Sequence, residues 1–227
     1  KKIQPDLIIS QGICDVCSPH NKEMEKVIRF LGYAPDTLVL DPHTVEDVVQ
    51  NIVDVARSVE KDMEGLLIKT SLLNRIENVA TNRKNNNPTV ICLEWFEPFY
   101  ICGHWVPQMV EIAGGINEMS KTGDRSRKIE FSQISKLDPD ILILLPCGFT
   151  LDRVLSEYGI LKRNEDWNSL SAVQNDMVFA VDAMSYFSRP SPRMITGIEI
   201  LAKIFNPNSF GNLIIPENSY TRLKNDA

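Results

Sequence analysis

Long apolar runs are missing from this sequence of 227 residues. The longest, Ile141 to Leu145, falls far short of the ~18 residues that a membrane-spanning helix needs and suits a buried strand instead. Positive charge is also scarce, since 24 Lys and Arg stand against 30 Asp and Glu for a formal net charge of -6. Nucleic-acid binding needs clustered Lys and Arg to replace counterions, so this balance argues against a nucleic-acid partner.

Cysteine is too rare for a disulfide-stapled scaffold, because the chain has five, an odd number. Cys14, Cys17 and His20 have C-x-x-C-x-x-H spacing, which is typical of a metal site or a redox pair. A zinc site lacks a nearby fourth ligand, since His43 is far along the chain, and Asp15 disfavours a reactive thiolate. We therefore rank a cleft-lining loop or local disulfide first, a metal site second and a catalytic dithiol last.

Catalytic signatures are missing as well. The sequence shows neither a Ser-His-Asp order nor a phosphate loop of the G-x-x-x-x-G-K type. Glu94 and Glu97 flank Trp95 and resemble paired carboxylates for acid/base work, but no nucleophile or base partner is near them in the sequence. These observations favour a binding protein over an enzyme.

What the sequence does contain is an alternation of short apolar runs and helical patterns, which predicts an α/β fold with parallel-type sheets. The predicted strands are Asp6–Ser10, Thr37–Leu40, Thr89–Leu93, Ile141–Leu145 and Val178–Val181. A first helix is expected from Ser18-Pro19 to Gly32, and later ones are expected over Val106–Ala113, Thr150–Tyr158 and Ser191–Phe205. Gly114-Gly115 fits a helix C-cap.

Between these two blocks lies an unusually long apolar stripe, from Val45 to Val79. Thr44 and Asp47 form a capping-box-like start. The spacing predicts one helix of about forty residues, about 60 Å long at ~1.5 Å per residue, which should span two lobes. The alternative is two helices, broken near Gly65 or near Thr70-Ser71. The predicted organisation is a partial amino-terminal lobe (1–42), a connecting helix (43–87) and a carboxy-terminal lobe (88–227).

Several motifs follow one another through the two lobes. They are Pro5-Asp-Leu-Ile-Ile-Ser-Gln11 with Cys14-Asp-Val-Cys17, Leu93-Glu-Trp-Phe-Glu-Pro98, Gly103-His-Trp-Val-Pro107 with Ala113-Gly-Gly115, Pro139-Asp140, Pro146-Cys-Gly-Phe149, and Tyr186-Phe-Ser-Arg-Pro-Ser-Pro-Arg193. In this order and spacing, the chain resembles the cobalamin-binding branch of the metal-chelate receptors of ABC importers, a class of periplasmic binding proteins with a single connecting helix. The resemblance reaches to about residue 207.

The resemblance implies a two-lobed receptor that captures cobalamin or a related corrinoid in the cleft between its lobes and catalyses nothing. It implies delivery to an ABC permease and ATPase complex, an extracytoplasmic location, and no cofactor other than the transported cobalamin. Relatives carry about two further strands and helices before Pro5, so we expect the first lobe to be incomplete and the signal or anchor segment to lie outside this chain. An incomplete lobe would leave a sheet edge open to association.

Ligands of open parallel sheets bind beyond the carboxyl ends of the strands, and aromatic residues are concentrated there in this sequence. They are Trp95, Phe96, Tyr100, Trp105, Tyr186 and Phe187. Such rings suit the broad apolar faces of a corrin, although core packing is the alternative for any one of them. The resemblance adds Gln11, Cys14, His104 and Arg189 to the expected ligand contacts. His104 is either a cobalt ligand or an ordinary hydrogen-bonded loop histidine.

Docking on the permease is expected to use acidic side chains. Glu23 or Glu25 resembles the partner on the amino-terminal lobe, with a solvated helix face as the alternative. The second lobe departs from the family pattern, because Ser188 stands at the position where the resemblance leads us to expect the second acid. Two rival functions stay open: a ferric-siderophore or heme receptor, for which Arg189 and Arg193 are the basic pair, and a thiol- or metal-dependent oxidoreductase built on Cys14 and Cys17.

Overall fold

The computed structural model of the chain describes residues 3–12, 26, 28–84 and 87–225. The predicted sites at Cys14, Cys17, Glu23 and Glu25 lie outside the described residues. The chain divides into two compact units, Lys1–Ser71 and Leu72–Ala227.

Among its described residues, the first unit contains a two-stranded parallel sheet, helical residues at 26 and 28–31 just before Gly32, and a pair of longer helices. The elements are β1 (Leu7–Gln11), β2 (Asp36–Leu40), α1 (Val45–Ser58) and the first part of α2 (Asp62–Asn82). Leu7 lies opposite Asp36 and Gln11 opposite Leu40, so the predicted parallel pairing is confirmed. Both strands leave apolar side chains open, with Ile9 and Val39 each 45% exposed.

The single connecting helix that we predicted is wrong, because α1 and α2 are separate helices. The interruption covers residues 59–61, where Glu60 adopts a left-handed φ of 58°. Lys69 Nζ donates to Gln50 Oε1 at 2.8 Å, so the start of α2 runs back along α1. The alternative of two helices is therefore correct, with the break before Gly65. Apolar spacing could not reveal it, since the spacing continues on both sides of the three-residue turn.

The predicted capping box at the start of α1 is confirmed. Asp47 N donates to Thr44 Oγ1 at 3.1 Å, and Thr44 N donates to Asp47 Oδ2 at 2.9 Å. Burial opposes ionisation of this carboxyl, but hydrogen bonds from His43 and Thr44 outweigh it and hold the pKa of Asp47 below its usual value. The box fixes the helix whose buried face, Val45, Val48, Val49 and Val53, forms the core of this unit.

A six-stranded sheet forms the centre of the second unit. Its strands are β3 (Val90–Phe96), β4 (Phe99–Ile101), β5 (Arg127–Lys128), β6 (Ile141–Leu144), β7 (Val178–Val181) and β8 (Tyr220–Leu223). Their order is β5-β4-β3-β6-β7-β8. The three predicted strands, β3, β6 and β7, are parallel and central, whereas the three that the sequence did not predict pair antiparallel on either side of them.

Helices cover both faces of this sheet. They are α3 (Val106–Ala113), α4 (Phe131–Leu137), α5 (Leu151–Glu157), α6 (Gly159–Lys162), α7 (Glu165–Asn168), α8 (Ser171–Gln174), α9 (Ala183–Tyr186), α10 (Met194–Phe205) and α11 (Pro207–Phe210). The prediction for α3 is confirmed to the residue, and the helix ends at Gly114, whose φ of 95° is the left-handed conformation of a C-cap glycine. Among the described residues, no helix has the length and hydropathy to cross a bilayer.

Polar contacts fasten the second half of α2 to the second unit. Arg75 donates two hydrogen bonds to the Glu199 carboxylate on α10, at 2.8 Å and 2.5 Å, and a third to Thr196 Oγ1. Arg83 donates to carbonyl oxygens at the end of α3, and Lys84 N donates to Asn206 Oδ1 at 3.1 Å. Charge-assisted forks of this kind fix orientation as well as adding stability.

Candidate functional site

The central strands β3, β6 and β7 are parallel, so their carboxyl ends meet at one edge of the sheet. We call the surface there the sheet-end face and define it by Trp95, Cys147, Phe149, Met184 and Ser188. Backbone and hydroxyl groups hold it together: Met184 N donates to Phe149 O at 2.9 Å, and Gly148 N donates to Ser188 Oγ at 2.9 Å. Ligands of open parallel sheets bind at this position.

The indole of Trp95 is the most prominent aromatic ring of this face. It is 40% exposed, and it meets the buried ring of Phe149 edge-on. The Arg153 guanidinium lies over the Phe149 ring, 3.7 Å from the ring centroid. Met184 adds a second apolar side chain, 38% exposed. The face therefore offers rigid apolar contact area to a ligand.

Three of the six rings predicted to line a ligand are packed in the interior instead. Phe96, Trp105 and Phe187 are 6%, 5% and 2% exposed. Trp105 Nε1 donates to Phe187 O at 2.9 Å, so this pair ties the loop after β4 to the loop after β7. Trp95 and Phe96 are neighbours at the end of β3, which the prediction had ended at Leu93, so the sequence offered no basis for separating the ring that points outward from the one that points into the core.

The other three rings lie where a ligand could reach them. Trp95 is exposed, while Tyr100 and Tyr186 are half-buried. Tyr100 is the partner of Trp95 in the register of β3 and β4. Arg189 is exposed in the loop after α9. In the first unit, Gln11 is half-buried at the carboxyl end of β1. These positions do not test whether the residues contact a ligand, so their ligand contacts stay predictions.

His104 lies in a tightly held turn next to this face. Its φ is 56°, its amide donates to Asp124 O at 2.6 Å, and its carbonyl accepts from Gly123 N at 2.8 Å. The ring is half-buried and tilted against Trp105. No group of three or more His, Cys, Asp or Glu side chains in the described part of the chain is arranged to hold a metal ion. A role for His104 as a cobalt ligand stays a prediction.

Burial lowers the reactivity of two thiols, Cys92 on β3 and Cys102 directly after β4. Cys92 is 3% exposed, and desolvation raises its pKa to about 12. Cys102 lies beside it, and burial together with the charge of Glu94 raises the pKa of that thiol well above its ordinary value. Such thiols stay protonated at neutral pH and are poor nucleophiles. Cys147 is exposed.

Sequence reasoning missed several members of this face. Phe149 and Cys147 belong to a motif that the sequence singled out, Pro146-Cys-Gly-Phe149, but neither was chosen as a ligand contact. The signal was their position directly after β6, which is the same position that Trp95 has at the end of β3. Met184 and Ser188 follow β7 in the same way.

Comparison with known families decides the class of protein. The model of a family described as periplasmic binding protein matches residues 1–184. The chain belongs to this family. No curated protein matches the sequence.

Solved structures show the same fold in proteins of low sequence identity. An ABC transporter substrate-binding protein from Listeria monocytogenes EGD-e has a TM-score of 0.75 and 18% identity, covering 90% of this chain and 78% of that one. The periplasmic vitamin B12 binding protein BtuF of Vibrio cholerae has a TM-score of 0.66 and 19% identity, covering 89% and 74%.

A third structure is that of an ABC-type Fe3+-hydroxamate transport system from Saccharomonospora viridis DSM 43017. Its TM-score is 0.68 and its identity 21%, and the match covers 89% of this chain and 69% of that one. At such identities the likeness establishes the fold alone, and two of the three proteins are named for different ligands, vitamin B12 and an Fe3+-hydroxamate. None of these matches favours the oxidoreductase alternative.

Proposed function

We propose that this periplasmic binding protein is the substrate-binding component of an ABC importer and that it binds cobalamin or a related corrinoid through the sheet-end face. The observation that carries the proposal is the half-exposed indole of Trp95, supported edge-on by Phe149 at the carboxyl ends of β3 and β6. The motif resemblance to cobalamin receptors supports the choice of ligand, and the family membership supports the choice of protein class.

The chemistry of the face suits a broad ligand with apolar faces and polar arms. Trp95, Met184 and Tyr186 supply apolar contact area, which dominates affinity for such ligands. Ser188 Oγ accepts one hydrogen bond from Gly148 N, and its own hydroxyl proton is available to an amide arm of a corrinoid. Binding with no chemical step is the expected result, since the two buried thiols of this region stay protonated.

Delivery requires an ABC permease and ATPase complex, and the receptor itself would act outside the cytoplasm. Both statements belong to the proposal. Glu23 and Glu25, the expected docking acids, lie outside the described residues. That the ligand lies between two lobes also stays a prediction from the sequence.

A ferric-siderophore or heme receptor is the second candidate, and one observation favours it. Arg189 and Arg193 are both exposed, and neither forms an ion pair within the described part of the chain. Two exposed guanidinium groups in the segment between α9 and α10 attract carboxylate or other anionic groups. Cobalamin offers mainly neutral amides, whereas heme carries carboxylates.

Titration calorimetry with cyanocobalamin, hemin and ferrioxamine separates the two candidates. We expect cyanocobalamin to bind with micromolar or tighter affinity and to be insensitive to Arg193→Gln. Arg189 is left unchanged in this test, because it is an expected contact of the corrinoid as well. If hemin binds, cyanocobalamin does not, and Arg193→Gln weakens hemin binding at least tenfold, then the second candidate replaces the first. Binding of ferrioxamine in place of cyanocobalamin does the same without an arginine effect, because that chelate offers no anionic group to a guanidinium.

A further inference from the structure

Strand β3 contains a bulge next to the ligand-facing indole. Leu93 lies opposite Ile101 on β4, and Trp95 lies opposite Tyr100, so Glu94 is the extra residue between two registered pairs. A bulge bends its strand and redirects the side chains that follow, and bulges are common next to functional sites. The bulge at Glu94 therefore sets the direction of the Trp95 side chain.

The Glu94 carboxyl is turned inward, not toward solvent. The hydroxyl of Ser126 and the thiol of Cys102 donate hydrogen bonds to it. Ser126 Oγ in turn accepts from Gly103 N at 3.2 Å. A chain of polar contacts thus runs from the bulge of β3 to the turn that carries His104.

One segment, residues 120–126, is hydrogen-bonded to that turn, and we call this segment the strap. Ser120 Oγ donates to Cys102 O at 2.7 Å, and two backbone hydrogen bonds join His104 to Gly123 and Asp124. The backbones approach so closely that a Cβ on Gly103 would lie 2.2 Å from Asp124 O. The strap and the turn therefore move as one piece, and Ser126 is the point at which that piece meets Glu94.

We infer that Glu94 is the positioning residue of the sheet-end face, holding Trp95 outward through the bulge and holding the His104 turn in place through Ser126. The inference rests on the proposed function only in that Trp95 and the turn contact the ligand. Glu94 itself does not need to touch the ligand.

The surroundings of the carboxyl make its hold dependent on pH. Burial raises the pKa of Glu94, and the hydrogen bonds from Ser126 and Cys102 oppose that rise without cancelling it. Cys92 on β3 and Cys147, in the segment after β6, both act on Cys102. Cys92 and Cys102 stay neutral because burial raises their pKa values. A group whose pKa is raised in the folded state stabilises that state at low pH, and its contribution is lost as the pH rises through the folded-state pKa.

Hydrogen–deuterium exchange of the strap and the turn tests this role without any ligand. We would compare the whole chain with Glu94→Gln, Glu94→Ala and the matched control Glu97→Gln, from about pH 5 to about pH 8. After correction for intrinsic exchange, protection at Gly103, His104 and Gly123 should fall with rising pH in the unmodified chain and in Glu97→Gln. It should stay high in Glu94→Gln, which keeps an acceptor but no charge, and stay low in Glu94→Ala.

Ser126→Ala provides a second approach if Glu94→Ala does not fold, because it removes the same hydrogen bond from the other side. It should lower strap protection to the level of Glu94→Ala. If Ser126→Ala leaves the strap protected and the pH dependence is the same in Glu94→Gln as in the unmodified chain, the positioning role is overturned.

Binding of cyanocobalamin and of ferrioxamine is measured on the same variants. We expect Glu94→Ala to weaken the bound probe about tenfold, with recovery in Glu94→Gln. If neither probe binds even the unmodified chain while strap protection follows Glu94 as described, the proposed function fails and the positioning role stands. If a probe binds all variants equally, the proposed function stands and the positioning role of Glu94 fails.

Discussion

Trp95 and Phe149 meet edge to face, with ring centroids 5.4 Å apart and ring planes at 71°. The two rings belong to the ends of neighbouring parallel strands, β3 and β6, so their contact closes the sheet-end face across a strand boundary. An edge-to-face pair is worth about 0.5 to 1.5 kcal/mol beyond the area that it buries. The indole that we expect to contact the ligand is therefore held in place before any ligand arrives.

Removing this indole should weaken ligand binding more than it weakens the fold. We expect Trp95→Ala to lower cyanocobalamin affinity by about tenfold or more, with a loss of about 1 kcal/mol in the free energy of unfolding, and Trp95→Phe to have a smaller effect on both. Calorimetry and urea denaturation measure the two quantities. Ile214→Ala, at a side chain that is 93% exposed, is the control and should change neither. Equal affinities in Trp95→Ala and the control would contradict the proposed contact.

Gly65 should not tolerate a side chain. A Cβ there would lie 2.5 Å from the Ala56 Cβ, because α1 and α2 are in close contact at this point. Overpacking costs about 1 to 3 kcal/mol and outweighs the ~1 kcal/mol that alanine gains over glycine in a helix. We expect Gly65→Ala to lower the free energy of unfolding and Ala56→Gly to relieve part of the loss in the double variant. Gly159→Ala, with open space around it, should be neutral or stabilising.

The ion pair between Arg75 and Glu199 should be worth more than an exposed one. Glu199 is 8% exposed, and its carboxylate accepts both Arg75 hydrogen bonds. We expect Glu199→Gln to cost about 1 to 3 kcal/mol, a range kept low because solvent reaches the guanidinium. The matched control is Glu157→Gln, which breaks an exposed i,i+4 pair with Arg153 and should cost at most about 0.5 kcal/mol. Similar losses in the free energy of unfolding for the two variants would show that burial does not strengthen the ion pair between Arg75 and Glu199.

Alkylation should distinguish the thiols of the second unit. Cys147 is exposed, whereas Cys92 and Cys102 are buried and have raised pKa values. Under native conditions at neutral pH, iodoacetamide should label Cys147 and leave the other two unlabelled, as peptide mass mapping can show. In guanidinium chloride all three should react. Native labelling of Cys92 at the rate of Cys147 would mean that the sheet opens readily at β3.

Asp47 should stabilise the chain only above the acidic range. Its pKa is depressed in the folded state, so its contribution is present above the unfolded-state pKa and is lost as the pH falls through the folded-state pKa. We expect Asp47→Asn to cost about 1 kcal/mol at neutral pH, as the loss of a capping contact does. The difference from the unmodified chain should shrink below about pH 4. Glu77→Gln, on an exposed face of α2, should show no such trend.

The sequence predicted those parts of the fold that depend on local periodicity. The core strands β6 and β7 are continuous apolar runs, and α3 has a clear stop at Gly114, so these elements were found with accurate bounds. The third core strand, β3, was found as well, but it continues to Phe96, three residues beyond its predicted end. The strands β4, β5 and β8 are short and pair antiparallel at the sides of the sheet, which local pattern does not encode. The turn at Glu60 went unseen because no glycine or proline marks it.

The candidate site was predicted less completely than the fold. The sequence placed Trp95, Phe96 and Tyr100 in a loop, whereas the structure has them in β3 and β4. It also could not tell Trp95, whose ring is exposed, from Phe96, the next residue, whose ring is buried. The bulge at Glu94 decides which of these side chains points outward, and a bulge depends on the register between two strands. Phe149 was missed for a similar reason, since its importance lies in a contact with a residue more than fifty positions earlier.

The position of α2 matters to anyone who wishes to produce the second unit as a separate fragment. The units divide between Ser71 and Leu72, in the middle of this helix. A gene fragment that starts at Leu72 would discard the helix's own first turns, with the acidic residues Asp62 and Glu64 that favour its beginning. Expression from Asp62 onward would keep the natural start of α2 and is the better choice of boundary.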